Sequence, residues 1–343
     1  MGRQSSGSEG KAGAKRLVIL RFSALGDIAM TLPVIYSVAM EYPDVEIYVA
    51  TRPFFGRMFI NPPANVKVLT FDLKEKYRGL GGTLRIAREL AALHPDYVAD
   101  LHNMARTMFI SAYLRLHGAK VATVDKARSQ RKKVYAGGKP QRQYISRYFD
   151  TLARLGFQAS MSFRSVYGDS TPAVSIDMKH PAVGLAPFAR YATKTYPPEK
   201  MREVARSLAD KGVNVYLFGG RGEEAETLGS WEQDGIVSLA GKFPLEEEIA
   251  IMSHLDAMVS MDSANQHLAG IAGSKVISVW GSTTPACGFL GFGQTEADAV
   301  SLGLKCQPCT IAGSKECPLG HMDCLRKLPV ETIVSKVMDT IAK

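Results

Sequence analysis

Two successive series of short apolar runs alternating with amphipathic stretches predict an α/β protein of two facing Rossmann-like domains with a cleft between them. Three observations support that class. The 343 residues exceed the usual size of a single core, so two domains are expected. The runs LVIL, VEIYVA and VKVLTF in the first half, and AVGLA, VNVYLF and AMVSM in the second, read as strands. Small and polar residues gather directly after them, at the strand ends where open α/β sheets bind ligands.

In the first half, 17–20 is a strand and Ser23, Ala24 and Gly26 form a tight turn. A helix over 27–41 follows, with Ile28, Leu32, Ile35, Val38 and Ala39 on one face and Pro33 early, where proline is least harmful. Strands at 45–50 and 66–71, an amphipathic helix at 84–93 and a strand at 97–101 continue the alternation. DLHNMART, 100–107, opens a helix to about 117, and a strand at 121–124 leads into a basic patch, 126–139, extended by Arg142 and Arg147. The stretch 142–155 reads as a helix, and 158–179 lacks periodicity. The domain junction is placed at about 165–180, giving an N-terminal domain over 16–170 and a C-terminal domain over 180–343. In the latter, strands at 182–186, 213–218, 236–239, 257–261 and 276–280 alternate with helices at 198–211, 223–231, 245–254 and 263–272, and a last helix spans 330–342. Two facing Rossmann-like domains of this kind form the architecture called GT-B.

Composition narrows the partners. Hydrophobic residues make up 46% and charged residues 22%, ordinary for a globular protein. No apolar run approaches the roughly 18 residues that span a membrane. Residues 1–15 are rich in Gly, Ser and Lys without an apolar centre, which reads as a disordered basic tail rather than a signal peptide, so a cytoplasmic location is expected. The net charge of +9 points to anionic partners: nucleic acid, acidic lipid headgroups or phosphorylated small molecules. Zinc-finger spacing and RNA-binding aromatic strands are both missing, so nucleic acid is the weakest of the three.

Asp27 stands where the first helix begins, and two readings fit it: a helix cap, or a catalytic carboxylate on the ligand-binding rim. Asp100, His102, Asn103 and Arg106 share that rim, as a polar site or as a capped helix with a surface arginine. The second half has neither a G-x-G-x-x-G after its first strand nor a P-loop, which argues against a nicotinamide dehydrogenase or a P-loop kinase. Its loops instead carry Lys194, Glu223, the run Asp262 to His267 and the turn Gly281 to Pro285. A helix starting at Ser263 offers free N–H groups to an anion, a lysine opposite neutralises a diphosphate, and Glu223 suits a ribose diol. His267 on its own reads more readily as a satisfied core histidine than as a ligand.

The chain resembles glycosyltransferase family 9, the lipopolysaccharide heptosyltransferase family, over about residues 16–342. RFSALGDIAMTLP is similar to the family's N-terminal motif, TKTYP to its Lys-x-aromatic-Pro motif, MDSANQHLAG to its Asp-Ser/Thr-Gly-x-x-His-x-Ala motif and WGSTTP to its Gly-Pro-Thr-x-Pro turn. The resemblance implies an inverting transferase that moves a heptose from ADP-heptose to a lipopolysaccharide inner-core acceptor, with Asp27 as general base and Lys194 at the donor phosphates. It places Thr193, Glu223, Phe243, Asp262, Ser263, Ala264, His267, Gly281 and Thr283 around the donor, with no cofactor required. Ser23, Arg52, Asp100, His102 and Arg106 would face the acceptor, and the basic residues an anionic inner-membrane surface. Ala264 replaces the family's usual glycine, and Ser282 and Thr284 replace its proline and frequent aspartate. These departures bear on donor identity more than on fold. The alternatives are a family 9 transferase of another nucleotide sugar, or a binding protein without catalysis.

Cys306, Cys309, Cys317 and Cys324 form C-x2-C-x7-C-x6-C, with His321 between the last two. Such spacing fits a structural zinc or iron–sulfur site, or reduced thiols packing a loop, ahead of disulfides. Cys287 stands apart and reads as a buried thiol.

Overall fold

The computed structural model describes residues 14–342; most of the expected N-terminal tail lies outside them. The first half runs β1 (Arg16–Leu20), α1 (Leu25–Ala29), α2 (Leu32–Glu41), β2 (Glu46–Thr51), α3 (Pro53–Gly56), β3 (Val66–Thr70), α4 (Gly79–Ala91), β4 (Tyr97–Asp100), α5 (Ala105–Leu116), β5 (Lys120–Thr123) and α6 (Tyr144–Ala153). Its sheet is parallel throughout, in the order β3-β2-β1-β4-β5. No helix or strand lies between Ala153 and Ala182.

The second half runs β6 (Ala182–Ala186), α7 (Pro198–Ala209), β7 (Asn214–Leu217), α8 (Glu223–Gly229), β8 (Ile236–Ser238), α9 (Leu245–Ser253), β9 (Ala257–Met261), α10 (Ala264–Ala272), β10 (Val276–Val279), β11 (Ala299–Val300), α11 (Asp323–Arg326) and α12 (Val330–Ile341). Its sheet is also parallel, in the order β11-β10-β9-β6-β7-β8. In each sheet the strand order reverses once beside the first strand, between β1 and β4 and between β6 and β9. Chain connections leave the sheet in opposite directions there, which opens a crevice at the strands' C-terminal ends. The Asp27 turn and the Asp100 turn flank the first crevice; the Lys194 loop and the Asp262 turn flank the second.

The expected helix 27–41 is two helices. Pro33 has no N–H to continue the α1 ladder, and Thr31 turns back onto the Ile28 carbonyl through its N–H (2.8 Å) and its hydroxyl (2.7 Å). The expected helix 84–93 starts earlier, at Gly79, because three glycines hide its first turn from any apolar periodicity. The basic patch folds into two 3-10 turns, Arg128–Lys133 and Tyr135–Gly137.

One apolar cluster crosses the two halves. It runs from Leu17 and Ile35 through Phe163 and Val166, in the irregular connection, to Ile249 and Leu268. Val166 N–H donates to the Ile271 carbonyl at 2.9 Å, and Phe163 packs edge-on against Phe292. This shared core seats the two strand-end rims opposite each other.

Candidate active site

A cleft of about 470 Å³ lies between the rims, within the usual range for small-ligand sites. From the first half it is lined by Ala24, Leu25, Gly26, Asp27 and Met30; from the second by Lys194, Asp262, Ser263, Ala264, His267 and neighbours. Helices α1 and α10 meet at its floor. A Cβ on Gly26 would fall 2.6 Å from His267 Cδ2 and 3.3 Å from Ala264 Cα, so only glycine permits the approach.

Asp27 is not the helix cap. Ala24 is the N-cap, and Asp27 is the third helical residue, reaching back to accept the Ala24 N–H through Oδ2 at 3.2 Å. The same oxygen is ion-paired with Arg21 Nη2 at 2.9 Å. Arg21 lies only 4% exposed, directly after β1.

Across the cleft, Lys194 Nζ is 2.8 Å from Asp262 Oδ2, which also accepts the Thr283 hydroxyl at 2.6 Å. Gln266 Nε2 donates to the other Asp262 oxygen at 3.3 Å. The lysine head is thereby fixed in front of α10. Ser263 is the N-cap of that nine-residue helix and its hydroxyl turns to Ser260 Oγ, so the first α10 N–H groups have no side-chain cap. The arrangement can receive an anion from two sides. Burial pushes His267 down to about 4, so its ring is neutral at pH 7.

The other expected donor-side residues are dispersed. Thr193 is buried and bonds the Gly313 carbonyl at 2.7 Å, and Gly281 accepts Gln307 Nε2. Phe243 is half-buried against the core and lies outside the cleft lining. Of the two glutamates that open α8, Glu224 lines the cleft, its Oε2 accepting Gly220 N–H at 2.6 Å; Glu223 is exposed at the first position of α8. A one-residue shift of this kind is beyond what a glycine-rich turn reveals in sequence.

On the first half's rim, Ser23 Oγ pairs with His102 Nε2 at 3.0 Å, and burial drives that histidine down to about 3. Asp100 is fully buried. Its Oδ1 accepts the N–H groups of His102 and Asn103, and burial raises its pKa. It builds the turn and is closed to a ligand. Arg106 is tied to the Tyr77 carbonyl, and Arg52 lies over the Phe55 ring. Neither lines the cleft. Burial first, and then Arg21 and Arg128, lower half-buried Lys126 to about 8.

Sequence reasoning gave no role to Arg21, Arg190, Tyr191 or Phe289, all of which border or brace the site. Arg21 was visible as the cation six residues before Asp27. The Cys-rich segment supplies the far wall: Ile311 and Ala312 line the cleft, and a Cβ on Gly313 would fall 2.2 Å from Lys194 Cδ. Its cysteines are free thiols, with Cys324 buried. Among the described residues no three His, Cys, Asp or Glu side chains are grouped to hold a metal ion.

The profile of "Glycosyltransferase family 9 (heptosyltransferase)" matches residues 83–321. Lipopolysaccharide heptosyltransferase 1 of Pseudomonas aeruginosa is 23% identical over 86% of this chain and 86% of its own. A family 9 glycosyltransferase from Veillonella parvula superposes with a TM-score of 0.72 at 19% identity, covering 96% of this chain and 97% of that one. The E. coli heptosyltransferase WaaC, solved with ADP, gives 0.69 at 17% identity over 95% and 99%. With a GT-B fold and a cleft built by both of its sheets, the chain belongs to glycosyltransferase family 9, the heptosyltransferases, and is a glycosyltransferase.

Proposed function

We propose that the protein transfers a heptose from ADP-heptose to an inner-core lipopolysaccharide acceptor by a single inverting displacement. The observation that carries this reading is the placement of Asp27 on one rim opposite the Lys194–Asp262 pair and the α10 N-terminus on the other. In the reaction the acceptor oxygen forms a bond to the anomeric carbon as its proton passes to Asp27. The bond from that carbon to the diphosphate oxygen breaks, and the electron pair leaves with ADP. Lys194 and the α10 amides meet the charge that develops on the leaving group. Neutral His267 contributes as a hydrogen-bonding group rather than a cation. Glu224 takes the ribose position given above to Glu223. The 2.6 Å bond from Gly220 holds one of its oxygens and leaves the other for the diol.

The acceptor is received by the first half, whose rim is cationic and apolar together. Phe54, Leu80, Met104 and Met108 are roughly half or more exposed, on the segments that follow β2, β3 and β4. Arg52, Lys74, Lys76 and Arg78 belong to the segments that follow β2 and β3. This composition suits a peripheral seat on an anionic lipid surface. No helix among the described residues is long and apolar enough to cross a membrane.

Purified protein with ADP-heptose and an inner-core acceptor should release ADP and form a heptosylated product by mass spectrometry. Asp27→Ala should lose transfer by about 100-fold or more. Turnover with another nucleotide sugar but not with ADP-heptose would favour the second family 9 reading, to which Ala264 and Thr284 point.

A further inference from the structure

We propose that Arg21 is a positioning residue for the transfer: it anchors one oxygen of Asp27 so that the other is presented to the acceptor hydroxyl. The inference rests on the reading of Asp27 as general base and assigns a residue that the family motif leaves without a role. Both bonds to the Asp27 carboxylate, from Arg21 Nη2 at 2.9 Å and from Ala24 N–H at 3.2 Å, end on Oδ2. Oδ1 makes no hydrogen bond among the described residues, and the side chain is 27% exposed on the cleft wall. A carboxylate held in this way has one fixed oxygen and one open oxygen, as a base needs.

The anchor is itself immobilised. Arg21 Nε donates to the Ser23 carbonyl at 2.8 Å, and Nη1 donates to the Leu101 carbonyl and to the Tyr148 hydroxyl, the latter at 3.1 Å. Tyr148 is fully buried on α6, and its ring lies 5.8 Å from the guanidinium carbon. The guanidinium therefore ties the turn after β1, the turn after β4 and helix α6 to one carboxylate oxygen. A surface ion pair contributes little, but a pre-oriented fork buried on one side fixes geometry. Lysine at this place would keep the charge and lose most of the fork.

The test compares Arg21→Met, Arg21→Lys and Tyr148→Phe with Asp27→Ala. With ADP-heptose and an inner-core acceptor, Arg21→Met should lower kcat by about 100-fold with the donor KM unchanged, the scale of a misplaced catalytic group. Arg21→Lys should recover part of that loss, and Tyr148→Phe should lower kcat by a few-fold. If Asp27→Ala is inactive while Arg21→Lys and Tyr148→Phe both keep wild-type kcat, the positioning role is overturned even where Arg21→Met fails to fold. If Asp27→Ala turns over normally, or if wild type turns over no donor, the general-base reading or the assigned substrate fails instead. Crystal structures of wild type and Arg21→Lys then decide the anchoring without any substrate. Displacement of the Asp27 carboxylate from Ala24 N–H supports it, and an unmoved carboxylate overturns it.

Discussion

Among the described residues Asp262 bonds only to the second half, yet it shapes what the cleft offers a ligand. One of its oxygens receives both Lys194 and Thr283. Asp262→Asn leaves the lysine with a neutral partner and disturbs the Thr283 bond, so the lysine head loses its fixed place. The expected outcome is a rise of about tenfold in the ADP dissociation constant by calorimetry, the scale of one charge-assisted hydrogen bond. The two buried histidines give a second residue-scale outcome. Burial depresses His267 to about 4 and His102 to about 3, from an ordinary 6.5. Between those values the unfolded chain binds protons that the folded protein refuses. The stability they carry is therefore complete above pH 6.5 and is lost as pH falls through the depressed values. Tm should drop steadily from pH 6.5 to pH 4, and His267→Gln should flatten the slope. At this scale the motifs were the most legible part: Asp27, Lys194, Asp262, Ser263, Ala264 and His267 all line one cleft. Asp100 misled because a carboxylate on a ligand-binding rim and a carboxylate that builds a turn are the same letter. Only burial separates them.

At the scale of elements, the meeting of α1 and α10 decides the site's dimensions. Gly26→Ala puts a methyl where 2.6 Å separates it from the His267 ring, so one helix must move. Overpacking of this kind costs about 1–3 kcal/mol. The variant should melt at lower temperature and lose both kcat and donor affinity, since α1 carries the proposed base and α10 the proposed diphosphate site. The type and order of the longer elements could be read from apolar runs, because parallel strands covered on both faces leave that signature, whereas two-residue β11 and four-residue α11 are too short to leave one. Boundaries could not be read where the deciding residue acts by what it lacks. Pro33 without its N–H splits a helix, and the glycines at 79, 81 and 82 begin one unseen. The 3-10 turns of the basic patch were equally hidden. They are held from outside, with Ala136 N–H on the Pro308 carbonyl and Val134 packed with Cys287 and Ile311. The Cys-rich segment thus abuts Lys194 at one point and the basic loop at another, contacts between distant stretches that no local pattern announces.

For the whole molecule, the shared apolar cluster predicts that the halves do not melt separately, so calorimetry should show one cooperative transition rather than two. The cationic and apolar rim predicts binding to vesicles of anionic lipid that weakens with salt and is reduced by Phe54→Ser with Met108→Ser; equal binding to neutral vesicles would contradict it. The strand orders were not legible in advance, yet they explain why the motifs work together, since loops from the reversal points of both sheets line one cleft. The bare contact at Gly26 has a mechanical consequence. The helices already touch there, so the gap cannot narrow further at that point, and any closure of the cleft has to come from its outer edges. Spin labels on the two rims, at Met104 and Arg190, should report changing separations when ADP binds, while labels nearer the contact, on α2 and α9, should report nearly constant ones.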